Sequence, residues 1–230
     1  TYDKLLCMTA TLPDDVGYKM ELFKLARTIY TITLDECVDM GFVAPYEIYC
    51  IPVELTFGEQ LEYDSIQQDF VKHKVWLGPE AFDMAKFFIA NKQSSSEERF
   101  HAAGFYKAMR ERKKVVDTAY NKISKFKEIV SKNLEQKIIT FGGLNEFTDS
   151  LAESVSPLAE VYHSKRTMKE RKKALKRFKE DDVNILCSTK ALNQGFDIPN
   201  ANIGIICGLT SKALSMVQRI GRLIRYEEGK

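Results

Sequence analysis

No G-x-x-x-x-G-K-[ST] loop occurs anywhere in the 230 residues, and no DExx-type acidic pair stands at a strand end. The chain by itself therefore has nothing to cradle a β-phosphate and no carboxylates placed for magnesium. No run of about 18 apolar residues is present, which excludes a membrane-spanning helix, and no signal-peptide pattern opens the sequence. The five cysteines (Cys7, Cys37, Cys50, Cys187 and Cys207) are scattered, with no CxxC pair. Three histidines, His73, His101 and His163, show no ligand spacing, so no metal site is expected. Buried free thiols fit a reducing compartment, and a cytoplasmic setting is expected. Net charge is only +2, so total charge points to no partner.

What is present is ordinary in bulk and organised in detail. Apolar residues make up 44% and charged residues 29%, as in a soluble globular protein. Thr1-Tyr2-Asp3 leads straight into an apolar run, so the chain is expected to be a piece of a longer protein. A helix is predicted over Tyr18–Ala26, a strand over Thr28–Thr33, and a short helix over Asp35–Met40. Tyr46–Leu55 alternates and predicts a strand. Residues 58–130 read as a helical insertion, with helices over Glu59–Phe70 and Phe100–Val130. Phe82, Ala85 and Phe88 should line the inner face of the helix between these two. Val116, Tyr120, Ile123, Phe126 and Val130 should line that of the second.

From Lys137 the pattern becomes regular. Strands are predicted at Lys137–Phe141, Leu158–Tyr162, Val183–Cys187 and Ile203–Cys207. Between them lie helices carrying Phe147, Leu151 and Val155, then Met168, Leu175 and Phe178, the latter opened by a Thr167/Glu170 capping box. Strand alternating with helix, without tight hairpins, predicts an α/β fold: a parallel sheet covered by helices on both faces. Ligands of such sheets bind beyond the carboxyl ends of the strands. Gly142-Gly143, His163-Ser164-Lys165-Arg166, Ser188-Thr189-Lys190 and Gly208 follow those ends, all suited to anionic oxygens. The segment Gln218–Arg225 adds Arg219, Arg222 and Arg225, three arginines within seven residues. Guanidinium groups are always charged and forked, and Arg222 and Arg225 fall on one helical face, the geometry of an arginine finger. Local charge agrees: residues 164–180 hold nine Lys/Arg against two Glu, and residues 105–132 nine against three acidic residues. Lys113, Lys114 and Lys122 are the candidates for phosphate contacts in the insertion.

Thr9-Ala10-Thr11, Ile138–Gly143, Ser188–Asp197 and Gln218–Arg225 resemble motifs III, IV, V/Va and VI of superfamily-two helicases, in that order. Motif VI opening on Gln218 rather than His resembles the DEAH-related branch of XPB-type and UvsW-type DNA helicases. Gly41-Phe42-Val43-Ala44-Pro45 resembles the connection between the two motor domains there. The resemblance is closest over residues 137–228. It implies a RecA-like C-terminal motor domain over 46–230. Residues 1–34 would be a remnant of the N-terminal motor domain and 35–45 the connection.

Roles follow by the same resemblance. Arg222 and Arg225 would contact the ATP γ-phosphate, with Gln218 linking the cleft and Arg219 supporting. Gly195 and Asp197 would couple ribose and nucleic acid to that site. Gly142, Gly143, His163, Ser164, Ser188 and Thr189 would meet the nucleic-acid backbone, and Thr9 and Thr11 would couple hydrolysis to strand movement. ATP and Mg²⁺ would be held mainly by the missing N-terminal motor domain, and DNA is the expected partner, with RNA left open. The expected enzyme is an ATP-dependent helicase, inactive as this piece alone. A restriction-type translocase motor shares every motif here, and a non-catalytic nucleic-acid-binding module is the remaining class.

Overall fold

The computed structural model describes residues 20, 21, 23, 24, 28–42, 44–189 and 201–208. The chain divides into two compact units, one of them residues 49–211. In the other, Met20, Glu21, Phe23 and Lys24 are helical. Helix α1 (Leu34–Asp39) opens on a reciprocal cap, in which Glu36 N–H donates to Thr33 Oγ1 at 3.2 Å and Thr33 N–H to the Glu36 carboxylate at 2.7 Å. Two expected strands do not form: Thr28–Thr33 and Tyr46–Leu55 carry no regular secondary structure. β-Branched alternation suits a pleated surface, but a strand also needs an edge to pair with. No ladder among the described residues includes either segment.

The larger unit begins with a helical module. Helix α2 (Phe57–Leu77) runs seven residues past the expected stop and ends at Gly78, whose φ of +85° only glycine adopts readily. Helices α3 (Ala81–Ala90) and α4 (Ser96–Asp117) pack on it through Leu77, Ala81, Ala85, Phe88, Ala102 and Phe105. Phe82, expected inside, is 54% exposed. The inner stripe is the neighbouring row headed by Ala81, whose small side chain lets α4 come close. Where one helix was expected over 100–130, two form, α4 and α5 (Tyr120–Ser131). The break lies at Thr118-Ala119: Thr118 Oγ1 turns back to Lys114 O at 2.9 Å, and the Glu59 carboxylate takes the Tyr120 N–H at 2.8 Å. Val116 and Tyr120 are consequently exposed, while Val115, Phe126 and Val130 are buried.

The sheet that follows is the expected one. Strands β1 (Ile138–Phe141), β2 (Ala159–Tyr162), β3 (Ile185–Ser188) and β4 (Ile203–Ile206) are all parallel, in the order β2-β3-β1-β4. Every residue of β1 and β3 is buried, as central parallel strands require. Helices α5 and α6 (Asn145–Ser154) form a core with Ile138, Ile185 and Cys187 through Phe126, Val130, Phe147 and Leu151. Ile139, Phe141 and Leu186 alternate to the opposite face and are buried too, so both faces are covered. Helix α7 (Met168–Lys179) lies along β2 and β3, with Ala174, Leu175 and Phe178 inward; Met168 is outside the stripe and 65% exposed. Its Thr167/Glu170 capping box forms as expected. Lys137, just before β1, donates to Phe178 O at 2.5 Å and pairs with Asp181 at 2.6 Å, locking the end of α7 to the sheet.

One glycine inside α4 tests the packing of the module. A Cβ on Gly104 would stand 2.2 Å from Nε2 of His73, a ring held by an Nδ1 to Nδ1 hydrogen bond of 3.1 Å with His101. Gly104→Ala should therefore lower stability by about 1–3 kcal/mol, against the gain of about 1 kcal/mol that helix propensity alone would bring. Urea unfolding of the two proteins decides which term wins.

Candidate nucleic-acid interface

The register places Tyr162, Ser188, Phe141 and Ile206 in one row across the sheet. The next residues, His163, Thr189, Gly142 and Cys207, therefore line its carboxyl edge. Backbone bonds tie this edge together. Gly142 N–H donates to Ser188 O at 2.9 Å, and Cys207 and Gly208 N–H both reach Phe141 O, at 3.0 and 3.3 Å. Glycine is required here by close approach. A Cβ on Gly208 would lie 2.9 Å from Gly143 Cα, and one on Gly142 would lie 2.4 Å from Thr148 Oγ1. Gly143 has φ +83°. The turn brings the first residues of α6 directly to the strand end, and its N-cap, Leu144, offers no side-chain acceptor to the first-turn amides.

A hydroxyl network joins two of the expected segments. Thr189 Oγ1 donates to Asn145 Oδ1 at 2.7 Å and lies 3.3 Å from Thr148 Oγ1, which itself donates to Leu144 O at 2.8 Å. Ser188 and Thr189 are buried; what they can present to a ligand is backbone rather than hydroxyl. His163 is turned inward as well: it is 5% exposed, and Nε2 donates to Asp149 Oδ1 at 3.0 Å. Arg166 donates to the same oxygen at 2.7 Å. Burial would raise the Asp149 carboxyl, but the hydrogen bonds from His163 and Arg166 outweigh it and hold the group below its usual range. At this strand end Ser164 and Lys165 remain exposed, with Lys165 3.3 Å from Glu146.

Asn145, Thr148 and Asp149 were not singled out from sequence; each acts through a partner at least 14 residues away. Arg166, expected to face an anion, is instead bound to Asp149. Two cations expected at phosphate have partners within the chain, Lys113 at the surface and Lys122 half-buried. Lys113 pairs with Asp117 at 2.5 Å, and Lys122 donates to Cys207 O at 2.7 Å. Burial holds the Lys122 ammonium below its ordinary value, and burial pushes the Cys207 thiol up to about 11. Lys114 stays exposed. Thr9, Thr11, Gly195, Asp197, Gln218, Arg219, Arg222 and Arg225 lie outside the described residues.

A parallel sheet covered on both faces, with glycine turns at its carboxyl edge, defines a doubly wound α/β domain. Comparison with known proteins then narrows the class. Residues 121–227 match the family model described as the helicase conserved C-terminal domain. The chain is 24% identical over 225 residues, 97% of its length, to the DNA 3'-5' translocase XPB2 of Sulfurisphaera tokodaii, of which it covers 50%. It is 31% identical over 106 residues to the mitochondrial ATP-dependent RNA helicase MSS116 of Saccharomyces cerevisiae, covering 43% of this chain and 16% of that protein. It is 39% identical over 72 residues to the ATP-dependent RNA helicase ROK1 of Meyerozyma guilliermondii, covering 31% and 13%. These matches support a superfamily-two helicase C-terminal domain over residues 121–227. It spans half the length of the archaeal relative and much less of the others.

The site geometry gives two tests. Gly142→Ala should destabilise by about 1–3 kcal/mol through overpacking. In urea unfolding the double variant with Thr148→Ala should lose less than the sum of the single losses, because the two sites share one contact. For Asp149 the depressed carboxyl contributes stability above its ordinary value of 3.8. That contribution disappears as pH falls through the lower folded value. Asp149→Asn should thus cost about 1 kcal/mol near neutrality, a figure reduced for partial exposure. Melting curves of the two proteins should converge as pH falls through the lowered titration point of the folded protein.

Proposed function

We propose that this chain is the C-terminal half of an ATP-dependent DNA helicase or translocase motor. The observation that carries the reading is the single row of strand ends: segments corresponding to motifs IV and V meet at one sheet edge, joined by Thr189, Asn145 and Thr148. Similarity along nearly the whole chain to a protein named a DNA translocase supports DNA and the XPB-like branch. The shorter matches to RNA helicases leave RNA as the alternative ligand.

Gly143 and Thr189 would offer backbone amides, and Ser164 a hydroxyl, to successive phosphates, with Gly142 and Ser188, bonded to each other, shaping the edge that presents them. His163 would position the Ser164 turn through Asp149 rather than touch the strand. Gly195 and Asp197 would connect this grip to the nucleotide, and Thr9 and Thr11 would relay its state from the preceding domain. The residues fit ATP only in part. Among the described residues no group of three or more His, Cys, Asp or Glu could hold a metal, and the sequence lacks a lysine-bearing phosphate loop. What this chain brings to ATP–Mg²⁺ is cationic. Arg222 and Arg225 would clamp the terminal phosphate, supported by Arg219 and oriented through Gln218. ATP, when bound, supplies the phosphoryl group whose transfer drives the cycle. The magnesium carboxylates and water-activating Glu would come from an upstream motor domain, joined through residues 35–45.

Arginine-finger losses lower turnover by about 10³–10⁵. Arg222→Ala should do so in the protein carrying both motor domains, with nucleic-acid binding retained in an equilibrium titration. A loss under about tenfold would remove the arginine from the reaction.

A further inference from the structure

The cations of α7 are sorted by type. Arg171 lies over the Tyr162 ring at 5.8 Å, and Arg177 pairs with Glu160 and, at 3.9 Å, with Asp182; both are turned toward the sheet. Lys169, Lys172, Lys173, Lys176 and Lys179 are all exposed. At about 100° per residue they fall within an arc of roughly 120° on the side opposite Ala174, Leu175 and Phe178. Of the five only Lys176 has an ion-pair partner among the described residues, Glu180 at 3.7 Å. This pattern loads one face with like charge, although Lys176 and Lys179 in the last turn suit the helix dipole. Like charges recur at i,i+3 and i,i+4, and Lys169 sits in the first turn, where a cation opposes the helix dipole. Among the described residues only Glu180 offsets the repulsion, through Lys176.

We propose that this lysine face is a second binding surface for the phosphate backbone of duplex nucleic acid, continuing the track from the strand-end edge across the outside of the sheet. The inference rests on the reading of the chain as half of a nucleic-acid motor. The face begins directly after Ser164-Lys165-Arg166, at the carboxyl edge. It ends where Lys137, just before β1, holds Phe178 O at 2.5 Å, at the opposite edge. From Lys169 to Lys179 the helix rises about 15 Å, the length of roughly four phosphates on one duplex strand. The arc contains no apolar residue between Lys169 and Lys179. A protein partner would need apolar contacts among the charges, whereas a phosphate backbone needs only evenly spaced cations.

The test is a salt titration of the full chain with a short fluorescent DNA duplex. Each phosphate neutralised contributes about 0.9 to the slope of log K against log salt. The combined variant Lys169→Gln, Lys172→Gln, Lys173→Gln and Lys179→Gln should lower that slope by roughly 3 to 4. A charge-matched control on the helical module, Lys72→Gln, Lys74→Gln, Lys86→Gln and Lys92→Gln, should lower it by less than about 1. Changing the same four α7 lysines to arginine should preserve the slope, which keeps the test decisive if the glutamine variant fails to fold. An unchanged slope in the α7 variant, or an equal loss in the control, overturns the surface while leaving the motor reading standing. Polyglutamate competing as well as duplex at equal charge overturns the choice of nucleic acid. Absence of any duplex binding by the unaltered chain overturns the motor reading itself.

Discussion

Two backbones meet at the end of β1 with no side chain between them. Phe141 O accepts from both Cys207 and Gly208, and Gly208 leaves no room for a Cβ against Gly143. Everything proposed for the site depends on this approach. It brings the ends of β1 and β4 together and lets α6 start at the edge of the sheet. A side chain at Gly142 would push Thr148, and with it the hydroxyl link to Thr189, out of register. Turn glycines and ligand-approach glycines are usually offered as rival readings. Here the packing requirement creates the open turn, so the same atoms serve both.

Around that turn, long side chains hold elements in place by capturing main-chain carbonyls. Lys122 reaches from α5 to Cys207 O, and Lys137 from the foot of β1 to Phe178 O. A lysine used this way is lost to a ligand, whatever its sequence neighbourhood suggests. The stretch 105–132 looks as basic as 164–180 when charges are counted. In the fold Lys113, Lys122, Lys125 and Lys132 are tied to local partners. On α7 the ties to the sheet are made by arginines, and of the five lysines only Lys176 is paired, with Glu180. Counting charges along a chain therefore overstates the field of the first segment relative to the second.

The sheet was legible in the sequence because central parallel strands are buried on both sides and read as short, mostly apolar runs, as Ile138–Phe141 and Ile185–Ser188 do. The capping box at Thr167 was equally plain, since both partners lie within one turn. What was not legible depends on distance. Tyr46–Leu55 has the residues of a strand and no edge to join. The break between α4 and α5 is settled by Glu59, 61 residues before the N–H it takes. His163 faces inward because Asp149 stands on the next helix over, and nothing in the run His163–Arg166 announces that. Local pattern predicts where an element exists; which face it turns, and where a long helix breaks, is decided by partners that pattern does not see.

The division of labour in the site follows from the same physics. A domain whose strand ends carry glycine turns and buried hydroxyls can offer amides and cations, both of which favour anions. A divalent metal needs converging carboxylates, and among the described residues none converge. The described edge supplies Asp149, already committed to His163 and Arg166, and no acidic cluster. On the proposed reading, a nucleotide with its magnesium would need a second body to complete its site, and the two would have to separate to release it. On this account the incompleteness of the site is what allows hydrolysis to move anything, because a site complete within one rigid domain would have no cleft to close.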